Sequence, residues 1–278
     1  MTRRRWLTTM AATAAAAAQQ TTPVPRKGRL KQCVTRGVFG KGMPFEDMCR
    51  HAARLGVTGF DLIAPADFAT VKKYGLTISL SQGAMTLTGG FNHQEDHPAV
   101  EKALRELIDQ SAAAGAPDVI ALSGNRRGIN DQEGMDNVVA LLSRVKAQAE
   151  DKGVTICLEL LNSKVNHPDY QCDRTWWGVE VCKRVNSPRV KLLFDIYHMQ
   201  IMEGDIIRTI RNNIQWIGHF HTAGNPGRHE MDDTQEMHYP GIARAIADLG
   251  YQGFIAHEYS PLRDPLQSLE ETLRMFEV

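Results

Sequence analysis

The 278-residue chain lacks a charge excess, with 32 basic and 32 acidic side chains and a formal net charge of zero. A nucleic-acid-binding domain would show a clustered basic excess, so that class is disfavoured and no nucleic-acid partner is expected. Aromatic residues are sparse at 7%, yet 42% of the chain is hydrophobic, which excludes a disordered or collagen-like chain. Cysteine is scarce and odd in number: Cys33, Cys49, Cys157, Cys172 and Cys182. No Cys-x-x-Cys pair is present for zinc or redox chemistry, so these residues are read as small, mostly buried hydrophobes. Long apolar runs are missing as well. The longest candidate, residues 6–18, is shorter than the ~20 residues a bilayer span needs and is interrupted by threonine.

That N-terminal segment has another character. Met1-Thr2-Arg3-Arg4-Arg5-Trp6-Leu7 places positive charge ahead of a short apolar stretch that ends in the alanines Ala14 to Ala18. Charge, apolar core and small residues in that order make an export signal, and the arginines before an aromatic and a leucine resemble a twin-arginine signal. The expectation is a periplasmic protein with residues 1–18 as the signal, 19–29 as a polar linker and 30–278 as one catalytic domain. No stable membrane insertion is expected after cleavage. Losing residues 1–18 removes three arginines and no acid, which leaves a slight acidic excess.

Downstream of residue 29, short β-branched runs alternate with helical patterns. Strands are predicted at 30–34, 59–63, 76–80, 118–122, 154–160, 189–194, 214–221 and 253–257. Helices are predicted at 44–55, 66–74, 98–114, 131–152, 176–185, 205–212, 241–249 and 265–276. Glycine closes helix after helix and proline opens several. Eight β–α pairs in about 250 residues describe a closed (β/α)8 TIM barrel as a single domain. The doubly wound alternative wants Gly-x-Gly-x-x-Gly after the first strand; Thr35-Arg36-Gly37-Val38-Phe39-Gly40 does not supply it.

In a barrel the strand ends converge on one face, and chemistry is sought there. The fifth to eighth strands end in Glu159, Asp195, His221 and Glu258, separated by 36, 26 and 37 residues, each interval fitting one βα unit. Three carboxylates gathered within a few ångströms cannot all stay ionised without a cation. Three oxygen ligands and one imidazole, with no thiolate, favour Mn²⁺ or Mg²⁺, with Co²⁺ as a further candidate. His219 shares a strand face with His221 and is read either as sitting just below the metal, supporting its ligands or touching substrate, or as a hydrogen-bonded barrel histidine. His257 alternates outward and is read as structural. Lys164 and the Trp176-Trp177 pair are assigned to loop packing.

These segments carry a resemblance. Leu158-Glu159-Leu160-Leu161-Asn162, Phe194-Asp195-Ile196-Tyr197-His198-Met199-Gln200, Gly218 to Arg228 and Phe254 to Tyr259 resemble the xylose-isomerase-like barrels, and most closely the hydroxypyruvate isomerase family. The resemblance spans most of residues 30–275. It implies metal binding by Glu159, Asp195, His221 and Glu258, proton transfer by Glu159 and Glu258, and substrate contacts from His198 and Arg228. Glu230 and Glu236 match acidic positions of the loop after the seventh strand and join His219 as substrate-binding candidates. Two departures stand out. Hydroxypyruvate isomerases commonly carry glutamine where this chain has His221, whereas the related ketose 3-epimerases carry histidine. The stretch Met231-Asp232-Asp233-Thr234-Gln235 replaces a Gly-rich turn.

The resulting expectation is an isomerase moving a proton through an enediolate on a small keto sugar or hydroxy-keto acid. The alternatives are a ketose 3-epimerase or a keto-glycoside-processing enzyme of the same superfamily. Phosphodiester hydrolysis would want further metals and a basic face. A non-catalytic periplasmic sugar-binding protein would not need eight regular βα units. The sequence leaves homo-oligomerisation open.

Overall fold

A computed structural model describes residues 24–83 and 86–278 of the chain. The expected export signal, 1–18, and linker residues 19–23 lie outside the described residues. Eight parallel strands close a barrel: β1 (Lys31–Val34), β2 (Gly59–Phe60), β3 (Thr77–Ile78 and Leu80–Ser81), β4 (Asp118–Ala121), β5 (Thr155–Leu160), β6 (Val190–Asp195), β7 (Ile217–Thr222) and β8 (Phe254–His257). β3 is one strand interrupted at Ser79: Thr77 and Ile78 pair with β2, whereas Leu80 and Ser81 pair with β4. β8 pairs with β1 on the far side, so the sheet meets itself across β3. The TIM barrel expected from the sequence is the fold observed.

Among the described residues nine α-helices surround it: α1 (Phe45–Arg54), α2 (Phe68–Lys73), α3 (His97–Ala114), α4 (Asp131–Lys152), α5 (Thr175–Val185), α6 (Ile196–Met202), α7 (Ile206–Asn213), α8 (Tyr239–Asp248) and α9 (Pro265–Met275). α4 shows how sequence sets a boundary. The Asn130 side chain accepts from the Glu133 backbone N–H, and Gly153 ends the helix in the left-handed region at φ 69°. Two expectations need correction. α6 was not anticipated, because Asp195 ends β6 and caps a new helix with no glycine or proline between them. The seventh strand begins at Ile217, since Ile214–Trp216 forms a 3₁₀ turn.

Alternation divides each strand's side chains between two cores. Ile156, Leu158 and Leu160 of β5, Leu192 and Phe194 of β6 and Phe220 of β7 pack outward against the helices. Inside the barrel a much smaller apolar group, Leu80, Ile120, Cys157 and Leu193, forms the floor beneath the strand ends. All five cysteines are buried and free, as their scarcity suggested. Residues 24–29 run along the base of the cylinder. There the Arg26 guanidinium reaches Glu270 (2.7 Å) and Glu277 (3.1 Å) of the C-terminal segment and donates to the Leu55 carbonyl (2.7 Å). Gly56, at φ 75°, passes so close to Val24 that a Cβ would lie 2.1 Å from its carbonyl oxygen. Among the described residues no helix is long and apolar enough to cross a membrane.

His257 occupies the layer between barrel and helices. The Thr222 hydroxyl donates to its Nδ1 (2.8 Å), and its Nε2–H donates to Gln32 Oε1 (3.0 Å), which fixes a neutral tautomer. Burial pushes its pKa from 6.5 down to about 3. The unfolded chain therefore binds a proton that the folded chain refuses between those values. His257's stabilisation is complete above pH ~6.5 and is lost as the pH falls toward 3. His257→Gln is expected to flatten the decline in urea midpoint between pH 6.5 and 4 relative to the parent chain. An unchanged slope would remove His257 from the acid response.

Candidate metal centre and active site

The four strand-end residues meet at the mouth of the barrel. Ligand atoms of Glu159, Asp195, His221 and Glu258 all lie within 4.8 Å of one another. His221 Nδ1 sits 3.0 Å from Glu258 Oε2 and 3.5 Å from Glu159 Oε1. Asp195 does two things: one oxygen accepts from the His198 backbone N–H (3.0 Å) as the cap of α6, and the other faces the cluster. Three carboxylates in a buried place are mutually costly. Burial raises the pKa of both Glu159 and Asp195, against the lowering pull of His221 on Glu159 and of Arg228 on Asp195. Glu258 goes the other way: burial would raise it, but His221 and Arg228 hold it at about 2.

Whether these residues suit a cation is decided by the imidazole. His221 Nδ1 is buried and has no well-aligned hydrogen-bond partner, although it points among three carboxylates. Its other nitrogen, Nε2, lies 2.9 Å from Asp61 Oδ1. A carboxylate behind a histidine whose front nitrogen faces further oxygen donors is the usual arrangement of a metal-ligating imidazole. The donor set is oxygen-rich and thiolate-free, so it fits a hard divalent ion such as Mn²⁺ or Mg²⁺.

Asp61 was missed by the sequence reading. It follows β2, faces the barrel interior, and is held by Ser79 Oγ (2.5 Å) as well as by His219 and His221. Burial opposes its ionisation, yet the two imidazoles lower its pKa far below the carboxylate range. The signal was available: a charged residue inside a run read as strand 59–63, alternating inward with Gly59. His219 extends the chain of contacts downward, with Nε2 2.9 Å from Asp61 and Nδ1 3.1 Å from Asp118. The substrate contact considered for His219 is therefore corrected. Both its nitrogens face carboxylates, and it is buried one side-chain layer below the mouth.

His198 reaches the cluster from α6. The Asn162 amide donates to its Nδ1 (2.6 Å), which places the proton on Nε2, and that buried atom has no partner. Burial and then the Arg228 cation push its pKa well below the histidine range, so the ring is neutral. Arg228 lies over the centre, 2.6 Å from Glu258 Oε2 and 3.8 Å from Asp195 Oδ2. His167, on the loop after β5, was also missed: its ring packs 5.2 Å from that of His198, with Nε2 likewise unpartnered.

Two acidic candidates do not belong to this centre. Glu230 Oε1 accepts from the backbone N–H groups of Leu262 (2.9 Å) and Arg263 (3.1 Å), so it anchors the loop after β8. Glu236 is exposed and receives Asn225 Nδ2 (2.5 Å) and Gln200 Nε2 (3.3 Å) on the outer side of that loop. Their substrate-binding assignment is corrected accordingly. His257 faces away from the mouth as expected. Lys164 donates to the Ile201 and Met202 carbonyls, and buried Trp177 donates to the Asp131 carbonyl. A cavity of about 440 Å³ opens beside Glu258 and Arg228 and runs past Leu62 toward Arg36 and Asp67.

Comparison with known proteins accords with this geometry. Residues 68–277 match the family model described as xylose isomerase-like TIM barrel. The chain belongs to that family. A 2-oxo-tetronate isomerase of Cupriavidus necator is 40% identical over 113 residues, covering 41% of this chain and 43% of that protein. A putative hydroxypyruvate isomerase of Danio rerio is 34% identical over 126 residues, 45% of this chain and 46% of the relative. These matches thus span less than half the length of either relative. Among solved structures, an AP endonuclease, family 2, from Brucella melitensis superposes with a TM-score of 0.79 at 24% identity, covering 86% of this chain and 96% of its own. At that identity the likeness concerns the fold alone. The sheet of this xylose isomerase-like barrel carries Glu159, Asp195 and His221 on β5 to β7, and Glu258 directly follows β8.

Proposed function

We propose that this chain is a divalent-metal-dependent isomerase that moves a proton next to the carbonyl of a small keto sugar or hydroxy-keto acid. The observation that carries the reading is the convergence of Glu159, Asp195 and Glu258 on one buried imidazole nitrogen, His221 Nδ1, that faces them without an aligned hydrogen bond. The names of the curated relatives, isomerases of 2-oxo-tetronate and hydroxypyruvate, support it. Both names denote hydroxylated 2-oxo acids.

A C–H beside a carbonyl is a poor acid, and its removal leaves an enediolate. A bound divalent cation supplies Lewis acidity to the oxygens on which that charge develops. The chain's own residues do the rest. Glu159 on β5 and Glu258 after β8 approach the centre from strands separated by β6 and β7, so they flank a substrate held between them. One removes the proton and the other returns it, each acting as a general acid–base group. His198 Nε2–H, which has no partner in the protein, donates to a substrate oxygen. Arg228 offers a fixed positive charge to the same side. Return to the neighbouring carbon isomerises; return to the same carbon from the other face epimerises. The histidine at 221, the residue shared with ketose 3-epimerases, keeps the second outcome in the same proposal. The sequence of residues 1–18 adds export to the periplasm as part of the reading.

Solvent exchange tests it directly. The Mn²⁺-loaded protein in D₂O, given a panel of hydroxy-keto acids and ketoses, is expected to place deuterium on the carbon next to the carbonyl of at least one of them. Chelation should abolish the exchange. A fully loaded protein that exchanges none of the panel would overturn the assignment.

A further inference from the structure

The cavity is larger than the reacting end of any such substrate requires. About 440 Å³ lies within the roughly 300–1,000 Å³ of sites that enclose drug-sized ligands, several times what three carbons and their oxygens fill. Its inner end is Glu258 and Arg228, where the chemistry is proposed. Its outer end lies over the loops after β1 and β2, and the residues there have a consistent character.

Arg36 and Asp67 pair at 2.6 Å across that outer end, with side chains 43% and 35% exposed. The Arg36 guanidinium is stacked 3.7 Å from the centroid of the Phe45 ring, which fixes its plane. A guanidinium carries five N–H donors, and Asp67 takes one of them. Donors on Arg36 and acceptor capacity on Asp67 thus remain side by side, in a unit with no net charge. A second carboxylate arriving there would meet the Asp67 charge. Two adjacent hydroxyls, each able to donate and accept, match it. Between the two ends, Leu62 and Ala64 give the cavity an apolar stretch against which carbon–hydrogen faces can lie. Leu62 holds φ 53°, a backbone region uncommon for a residue with a side chain, and such outliers concentrate at ligand sites.

We propose that the Arg36–Asp67 pair is a sugar-hydroxyl subsite that binds vicinal hydroxyls of the non-reacting part of the substrate. This rests on the isomerase reading and narrows it: the substrate is a keto sugar of about six carbons, or a longer glycoside of one, rather than a three-carbon keto acid.

The test uses Arg36→Met, which keeps the packing on Phe45, and Asp67→Asn, both in the full Mn²⁺-loaded protein. The readout is the ratio of kcat/KM for a ketohexose to kcat/KM for hydroxypyruvate. Each variant is expected to lower that ratio at least tenfold, chiefly through the KM of the hexose. An unchanged ratio overturns the subsite, as does a parent protein that favours hydroxypyruvate. Calorimetric binding of an unreactive linear hexitol, set against glycerol, separates this proposal from the catalytic one. If no substrate reacts but hexitol binding weakens tenfold in both variants, the isomerase reading falls and the subsite stands. Hexitol binding that is absent, or equal in parent and variants, overturns the subsite whatever the turnover.

Discussion

Glu159→Gln and Glu258→Gln are each expected to bind Mn²⁺ weakly and to lose turnover by at least the roughly 10²–10⁴-fold that a positioned acid–base group contributes. Glutamine keeps the shape and one oxygen but neither the charge nor the exchangeable proton, so both proposed roles fail together. Stability should move differently. At Glu159 the substitution removes a crowded carboxylate whose charged form burial disfavours, whereas at Glu258 it removes one that His221 and Arg228 stabilise. Metal-free Glu159→Gln should therefore melt no lower than the metal-free parent, whereas Glu258→Gln leaves Arg228 and His221 without their carboxylate and should melt lower. For Glu159, loss of activity with unchanged or higher thermal stability separates a chemical role from a structural one. Near-normal exchange in either variant would take that carboxylate out of the mechanism.

Asp61→Asn should produce the opposite pattern. Asp61 is not one of the four converging side chains, yet it faces His221 Nε2 at 2.9 Å and His219 Nε2 at 2.9 Å. Outer partners of ligating histidines typically change metal affinity about 10–100-fold when altered, and that loss is expected here by titration calorimetry with Mn²⁺. The metal-free protein should also lose stability, because breaking a buried charge network leaves its partners unpaired at a cost of about 3–5 kcal/mol. Asparagine can still accept from one imidazole, so the lower end is the better estimate. Metal affinity within twofold of the parent would show that Asp61 only fills the barrel.

The strands were legible because apolar runs, glycine stops and proline starts recur with the same beat, and the barrel followed from counting them. Convergence at the mouth was legible too, since it follows from strand ends and alternation. Depth was harder to read. His219 does share a face with His221, but two residues along a strand is roughly 6.6 Å, enough to move it from the mouth to the layer of Asp61 and Asp118. Loop acids were harder still. Nothing local to Glu230 or Glu236 says which way the segment after β7 folds back, and Glu230 is claimed by backbone N–H groups more than thirty residues away. α6 escaped because Asp195 belongs to two elements at once. Arg36 and Asp67 meet only because β1 and β2 are neighbours in the barrel.

That double membership of Asp195 joins the centre to its surroundings. The carboxylate that faces the cluster also receives the first turn of Ile196–Met202, and that helix carries His198. Any change in the charge on this one side chain is consequently felt as a change in how firmly the helix is anchored. Under the proposed metal dependence, loading an ion and ordering the neighbouring wall of the pocket are then a single event rather than two.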